Sequence, residues 1–313
     1  MQHSPVTRLL PDLTFGLGEG PAWDDRAGLL YWVDIKAPAL HQLDPQTGAH
    51  AVWHWPEVIS CCGLAESGEV IVSGRSGLWV FDPQSEARDL AYPIPAMAPD
   101  MRTNDGKVGP DGAFWVSTMQ DTSDRGPVGV VLRITGDGQV TTMLEGLTTA
   151  NGMEWSRDGD RFYLADTRAL WIDCWEYDPV TVTLSNRRRF VTYEEDDGKP
   201  DGGAMDAHGA YWSAGIYAGR IHRFSAEGER LESVSIPAEM VTMPCFGGAD
   251  MKTLFVTSLS RGADSVAGDG GLYSLQVDVP GPLPRRMDIG GRRRYRDPAT
   301  RFYVSAKGDV ISA

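Results

Sequence analysis

Glu19, Asp105, Asn151 and Asp201 carry hard oxygen donors, and each stands immediately before a glycine: Glu19-Gly20-Pro21, Asp105-Gly106-Lys107, Asn151-Gly152-Met153, Asp201-Gly202-Gly203. Two further copies, Cys62-Gly63-Leu64 and Phe246-Gly247-Gly248, lack an oxygen donor at that position. These carboxylates and the amide make a set suited to Ca²⁺, Mg²⁺ or Mn²⁺. Asp-Gly and Asn-Gly are also ordinary turn sequences. Glu-Gly-Pro has no such turn role, and recurrence at even spacing argues for a shared use. The six glycines stand 43, 43, 46, 50 and 45 residues apart. A period of about 40–50 residues is the mark of a propeller or solenoid. Equivalent positions of a radial repeat converge on one axis, so Glu19, Asn151 and Asp201 can meet there despite their distance in sequence.

Other chemistries leave no trace. The chain has no His-Glu-x-x-His, no Gly-x-Ser-x-Gly and no Gly-x-x-x-x-Gly-Lys-Ser/Thr segment. Its six histidines show no ligand spacing, which argues against a His-rich zinc site. A formal net charge of −14 argues against nucleic acid as a partner, which calls for a basic face. The N-terminus does not read as a signal peptide, and no run of eighteen apolar residues predicts a membrane span. The four cysteines form no Cys-x-x-Cys pair, so reduced thiols and a cytoplasmic location are expected. Cys62 and Cys245 read as buried packing residues, because no histidine partner is indicated.

The elements that must position the donors follow one plan. Each Gly segment leads into a short apolar stretch, a turn, an aromatic-rich stretch and a further strand. Examples are Pro21-Ala22-Trp23 with Leu29–Asp34, Met153-Glu154-Trp155 with Arg161–Asp166, and Ala204-Met205-Asp206 with Ala210–Ala214. Aromatic and β-branched runs bounded by Asp/Gly turns are the strand-and-hairpin signal. Later alternations such as Leu40–Leu43, Leu78–Phe81 and Ile221–Phe224 run into second turns. Four short strands repeated six times predict an all-β, six-bladed β-propeller with four-stranded antiparallel blades around a central channel. No helix of more than two turns is expected. One propeller domain over 1–313 is expected, with its core at about 6–290. Val6–Leu10 is expected to add a strand to the last blade and so cover an open edge. Residues 291–313 read as a loosely held tail, with a strand at Arg301–Ser305 as the other reading.

The chain resembles the gluconolactonase, senescence marker protein (regucalcin) and luciferin-regenerating enzyme family. The matching stretches are Leu17–Trp23, Leu30–Ile35, Arg102–Lys107, Ser117–Met119, Thr149–Met153, Pro200–Gly202 and Pro244–Gly248, in family order over about residues 15–280. The resemblance implies a six-bladed propeller with one divalent cation in the channel (Ca, Zn, Mn, Mg or Fe(II)), held by Glu19, Asn151 and Asp201. It leaves Asp105 a structural role. It implies substrate contacts from Arg102 and Asn104, with Asn104 also close to the metal, and from Asp121. Their other readings are a salt bridge within the blade for Arg102 and a turn cap for Asn104. Trp115, Trp212 and Tyr217 read either as lining of the pocket or as core packing, and core packing is the expected role.

The family hydrolyses sugar lactones to aldonic acids, which implies a small-molecule sugar lactone as partner and a metal-activated water as nucleophile. Asp201 is the preferred general base as well as a ligand. Glucono-, xylono-, arabino- and galactonolactone, as 1,4- or 1,5-lactones, are not separable here. The stretch Asp121–Gly129 is one expected determinant of that choice. Two further readings are a non-catalytic propeller that binds calcium or protein, and a promiscuous esterase or organophosphate hydrolase on the same fold. A monomer is expected.

Overall fold

The computed structural model describes residues 3–289, together with strands Phe302–Val304 and Val310–Ser312, which pair with each other. The expected tail otherwise lies outside the described residues. Six antiparallel blades stand in a ring. Their inner strands are Gly18–Asp24, Ile59–Ala65, Met101–Val108, Ala150–Trp155, Lys199–Met205 and Val241–Gly247, for blades 1 to 6. Each inner strand packs on the next, and the sixth packs back on the first, which closes the ring. As expected, the N-terminal strand Thr7–Leu9 completes blade 6 by pairing with Leu272–Gln276.

Every inner strand breaks register once: at the Gly segment in blades 1, 3, 4 and 5 (between Glu19 and Ala22, Thr103 and Gly106, Asn151 and Glu154, Pro200 and Gly203), and ahead of it in blades 2 and 6 (between Ile59 and Cys61, Val241 and Pro244). A β-bulge re-aims side chains and bends its strand, and here it does so once per blade at the channel. Gly152 is required there. Its φ is +59°, and a Cβ would meet the Tyr211 hydroxyl at 2.4 Å and the Asp201 carbonyl at 2.9 Å. Gly20, at φ +54°, lies against the Cys61 Cα in the same way.

The core lies between blades. Trp115 and Trp155 meet edge-on at 5.2 Å across blades 3 and 4, and Trp23 stacks on Phe255 at 5.6 Å across blades 1 and 6. Trp115 and Trp212 are fully buried, as expected. Tyr217 is not. It is 49% exposed, with φ +76°, in the loop after the second strand of blade 5.

A segment after the last blade closes one end of the channel. The Pro280 carbonyl accepts from Ala207 of blade 5, and Gly281 donates to Met251 of blade 6. Arg285 reaches Glu154 of blade 4, and Arg286 pairs with Asp24 and Asp25 of blade 1 at 2.7 and 2.6 Å. Met287 pairs with Ala65 of blade 2, and Asp288 donates to Gly112 of blade 3. This strap touches all six blades.

Candidate active site

The first residues of the inner strands share one end of the channel, the mouth. The loops that link the second and third strands of each blade share it too, because Glu19 pairs with Val33, Arg102 with Met119, Asn151 with Ala165, and Lys199 with Ile216. Four of the expected site residues form one hydrogen-bonded line here. Arg102 Nη1 donates to Asn104 Oδ1 at 2.7 Å, Asn104 Nδ2 to Asn151 Oδ1 at 2.7 Å, and Asn151 Nδ2 to Asp201 Oδ1 at 2.6 Å. Blades 3, 4 and 5 therefore meet side chain to side chain. Arg102, Asn104, Asn151 and Asp201 are 5–7% exposed. Asn104 sits in a bulge rather than capping a turn.

Asp121 stands at the rim. Its Oδ1 is 3.2 Å from Arg102 Nε, an ion pair within blade 3 that is not aligned as a hydrogen bond. This is the salt bridge within the blade that the sequence allowed for Arg102. Glu19 is half-buried, and its Oε2 accepts from the Gly20 N–H at 3.2 Å. Asp105 turns away from this line. Its Oδ2 accepts from Met153 N–H at 2.9 Å, binding blade 3 to blade 4.

The electrostatics are those of crowded, buried negative charge. Burial raises the Glu19 carboxyl well above the usual range, and the Asp201 and Asp105 charges raise it further. The Gly20 N–H and Arg102 only partly oppose this. Asp201 is raised well above its ordinary value by burial first and Asp105 second, against Arg102 and Arg125. Among the described residues, no Lys, Arg or His lies within ion-pair distance of Glu19, Asp105 or Asp201.

Would a divalent cation fit? Two crowded carboxylates without a positive partner are the right chemistry for one. Among the described residues, no three His, Cys, Asp or Glu side chains are grouped for a metal, so the set depends on the Asn151 amide. That amide now points its oxygen at Asn104 and its nitrogen at Asp201. Holding a cation would need it turned end for end.

Residues 17–260 match the family described as SMP-30/Gluconolactonase/LRE-like region. The chain belongs to this family. It is 36% identical over 272 residues to a 6-deoxy-6-sulfogluconolactonase of Pseudomonas putida, covering 85% of this chain and 92% of that protein. It is 35% identical over 298 residues to a pentonolactonase of Haloferax volcanii, covering 91% and 98%. Among solved structures, a calcium-binding regucalcin of Agrobacterium tumefaciens superposes with a TM-score of 0.84 at 26% identity, covering 89% of this chain and 96% of that one.

Several residues that shape the mouth had no role assigned from sequence. Asp34 and Asp166 each end the second strand of a blade. Asp34 accepts from Gly16, Leu17, Lys36 and Ala37 N–H, and Asp166 from Thr148, Thr149, Arg168 and Ala169 N–H. Each carboxylate fixes the chain just ahead of Glu19 or Asn151 together with the loop beside it. Their identical place in units one and four was the available signal. Thr167 Oγ1 accepts from Asn151 Nδ2 at 2.8 Å, and Ser117 Oγ donates to the Ala150 carbonyl at 3.0 Å.

The far end of the channel contains a cavity of 110 Å³, lined by Trp23, Lys107, Met205, Cys245 and Leu283 among others. Lys107 Nζ meets Glu154 Oε2 at 2.7 Å there. Burial pushes the Cys245 thiol up to about 11 and Cys62 higher still, so neither is a ready nucleophile. Among the described residues, no helix is long and apolar enough to cross a membrane.

Proposed function

We propose that this protein opens sugar lactones to aldonic acids at the mouth of the channel, with Asp201 as the general base. The observation that carries the reading is the line Arg102–Asn104–Asn151–Asp201, set beside Glu19 in a chain whose relatives include proteins named as lactonases. Glu19, Asn151 and Asp201 would hold one divalent cation. Bound there, the cation would supply Lewis acidity toward the lactone carbonyl and toward water.

The chain's own groups do the rest. Asp201 would hold the cation through one carboxylate oxygen, which leaves the other to take the proton from the attacking water. Arg102 presents the planar fork of a guanidinium to the ester and ring oxygens, and Asp121 steadies it from the rim. Asn104 both donates and accepts, which suits a sugar hydroxyl. The propeller core over about 6–290 works as one domain and as a monomer.

The test is acid release followed with a pH indicator over a panel of aldonolactones, before and after treatment with EDTA. Turnover that disappears with EDTA and returns with Ca²⁺, Mn²⁺, Mg²⁺ or Zn²⁺ is expected. Full turnover in protein shown metal-free by elemental analysis would remove the cation from the proposal. No turnover of any lactone would remove the reaction.

A further inference from the structure

One sector of the mouth, over blades 3 to 5, gathers cations in a chain whose net charge is −14. Arg125 lies in the loop between the second and third strands of blade 3, on the same end as Asp201. Its Nε donates to the Thr122 carbonyl at 2.9 Å, and its Nη1 reaches Thr149 Oγ1 at 3.5 Å. Thr149 is two residues ahead of Asn151, so this contact ties the guanidinium to the edge of the candidate site. Arg168, from the corresponding loop of blade 4, donates Nη2 to the Ser123 carbonyl at 2.7 Å and so braces the loop that carries Arg125. Lys199 begins the inner strand of blade 5, and its Nζ lies 5.3 Å from the Tyr217 ring centre. Arg102 forms the floor of this group.

Against these four cations this sector sets Asp121, which is already paired with Arg102, and the exposed Asp124 of the same loop. Among the described residues, no carboxylate lies within ion-pair distance of Arg125, Arg168 or Lys199. Arg125 is the most confined of the three. Partial burial and then the charges of Arg102 and Arg168 act against its protonated form, while Asp121 and Tyr217 favour it. Arg125 is also close enough to Asp201 to oppose the rise of that carboxyl. Four cations held together with fewer carboxylates at ion-pair distance than charges to meet make a site that an anion relieves.

We propose that the mouth selects sugar lactones bearing an anionic substituent (a sulfonate, phosphate or carboxylate placed away from the ring ester), with Arg125 as its main contact and Arg168 and Lys199 as flanking charges. This inference rests on the lactonase reading of the same site. Arg125 is a specificity residue: it binds the substituent and takes no proton. Its loop is the stretch 121–129, so the charge that chooses the substrate sits on the segment that the sequence marks as a determinant of choice.

The experiment compares kcat/KM for neutral aldonolactones with that for their 6-phosphate, 6-sulfonate and uronate counterparts, using the metal-loaded wild-type protein, Arg125→Gln and Arg125→Lys. Wild type is expected to prefer at least one anionic lactone by tenfold or more. Arg125→Gln is expected to lower the ratio of anionic to neutral kcat/KM by about 30-fold, chiefly through KM, as loss of a charge-assisted hydrogen bond implies. Arg125→Lys is expected to recover part of that ratio. Equal use of neutral and anionic lactones by wild type, or an equal fall for both in Arg125→Gln, overturns the inference and leaves the lactonase reading standing.

A second measurement separates the two. Calorimetry with the ring-opened products, 6-phosphogluconate against gluconate, is expected to show tighter binding of the phosphorylated acid, lost in Arg125→Gln. If no lactone is opened but this difference holds, the anion site stands and the lactonase reading falls.

Discussion

At the far end of the channel, Lys107 meets Glu154 at 2.7 Å, and Arg285 approaches the same carboxylate at 3.5 Å. At the mouth, Glu19 and Asp201 have no such partner among the described residues, and their carboxyls are raised instead. The same inner strands run between the two ends. The difference lies in what crosses them. The strap Pro280–Asp288 covers the far end and supplies Arg285 and Arg286, while the mouth is bordered only by loops. One end uses its buried charge for cohesion. The other keeps buried carboxyls without a cationic partner at ion-pair distance, which costs stability and is what the proposed cation and substrate would need.

The sharpest way to break this comparison is to remove one carboxylate at the mouth. Asp201→Asn is expected to lower lactone turnover by about 10³-fold or more, the scale of losing a general base together with a ligand. The thermal midpoint should not fall. Near wild-type turnover in the steady state would end the role given to Asp201.

The matching change at the far end is Lys107→Met. It leaves Glu154, 6% exposed, with the Trp155 N–H at 2.9 Å and a cation only at the longer distance of Arg285. A loss of about 2–3 kcal/mol is expected in urea denaturation, because an orphaned buried charge is expensive. Turnover per folded molecule should hold. A large fall in kcat with unchanged stability would show that the two ends are not separable.

The smallest effect is a dependence on pH. A carboxyl raised in the fold keeps its proton where the unfolded chain has released it, so the native state binds more protons and stability falls as pH rises. In protein stripped with EDTA, the midpoint should therefore drop as pH climbs above the ordinary values, 3.8 for Asp201 and 4.5 for Glu19, and through the raised ones. Asp201→Asn should flatten that slope by a few degrees, read by calorimetry between pH 5 and 8. An identical slope in both proteins would mean that Asp201 is not a strained charge in the metal-free state.

Much of the fold was legible because its signals are local. Asp/Gly turns, aromatic strands and a Gly segment every 43–50 residues specify strands, hairpins and their sixfold repetition. The closing strand Thr7–Leu9 followed from the need to cover an edge. The strap was not legible, because Pro280–Asp288 has neither strand nor helix period and finds its partners one blade at a time. Tyr217 was expected in the core for a similar reason: an aromatic directly after a strand reads as packing until the loop turns it outward.

The sequence by itself determined which side chains could act. It put an oxygen donor beside a glycine in four units, and Arg102 and Asn104 just ahead of Asp105, because residue identity and spacing within a strand are written in order along the chain. Only the tertiary structure decided how those side chains are aimed. A bulge sends Asn104 into the line and Asp105 toward Met153, although the two are adjacent. Ring closure brings Asn104, Asn151 and Asp201 within hydrogen-bonding distance across separations of 47 and 50 residues. Loop placement sets Arg125 against Thr149. Such contacts depend on how whole blades pack and on the geometry of six together, which no local pattern encodes.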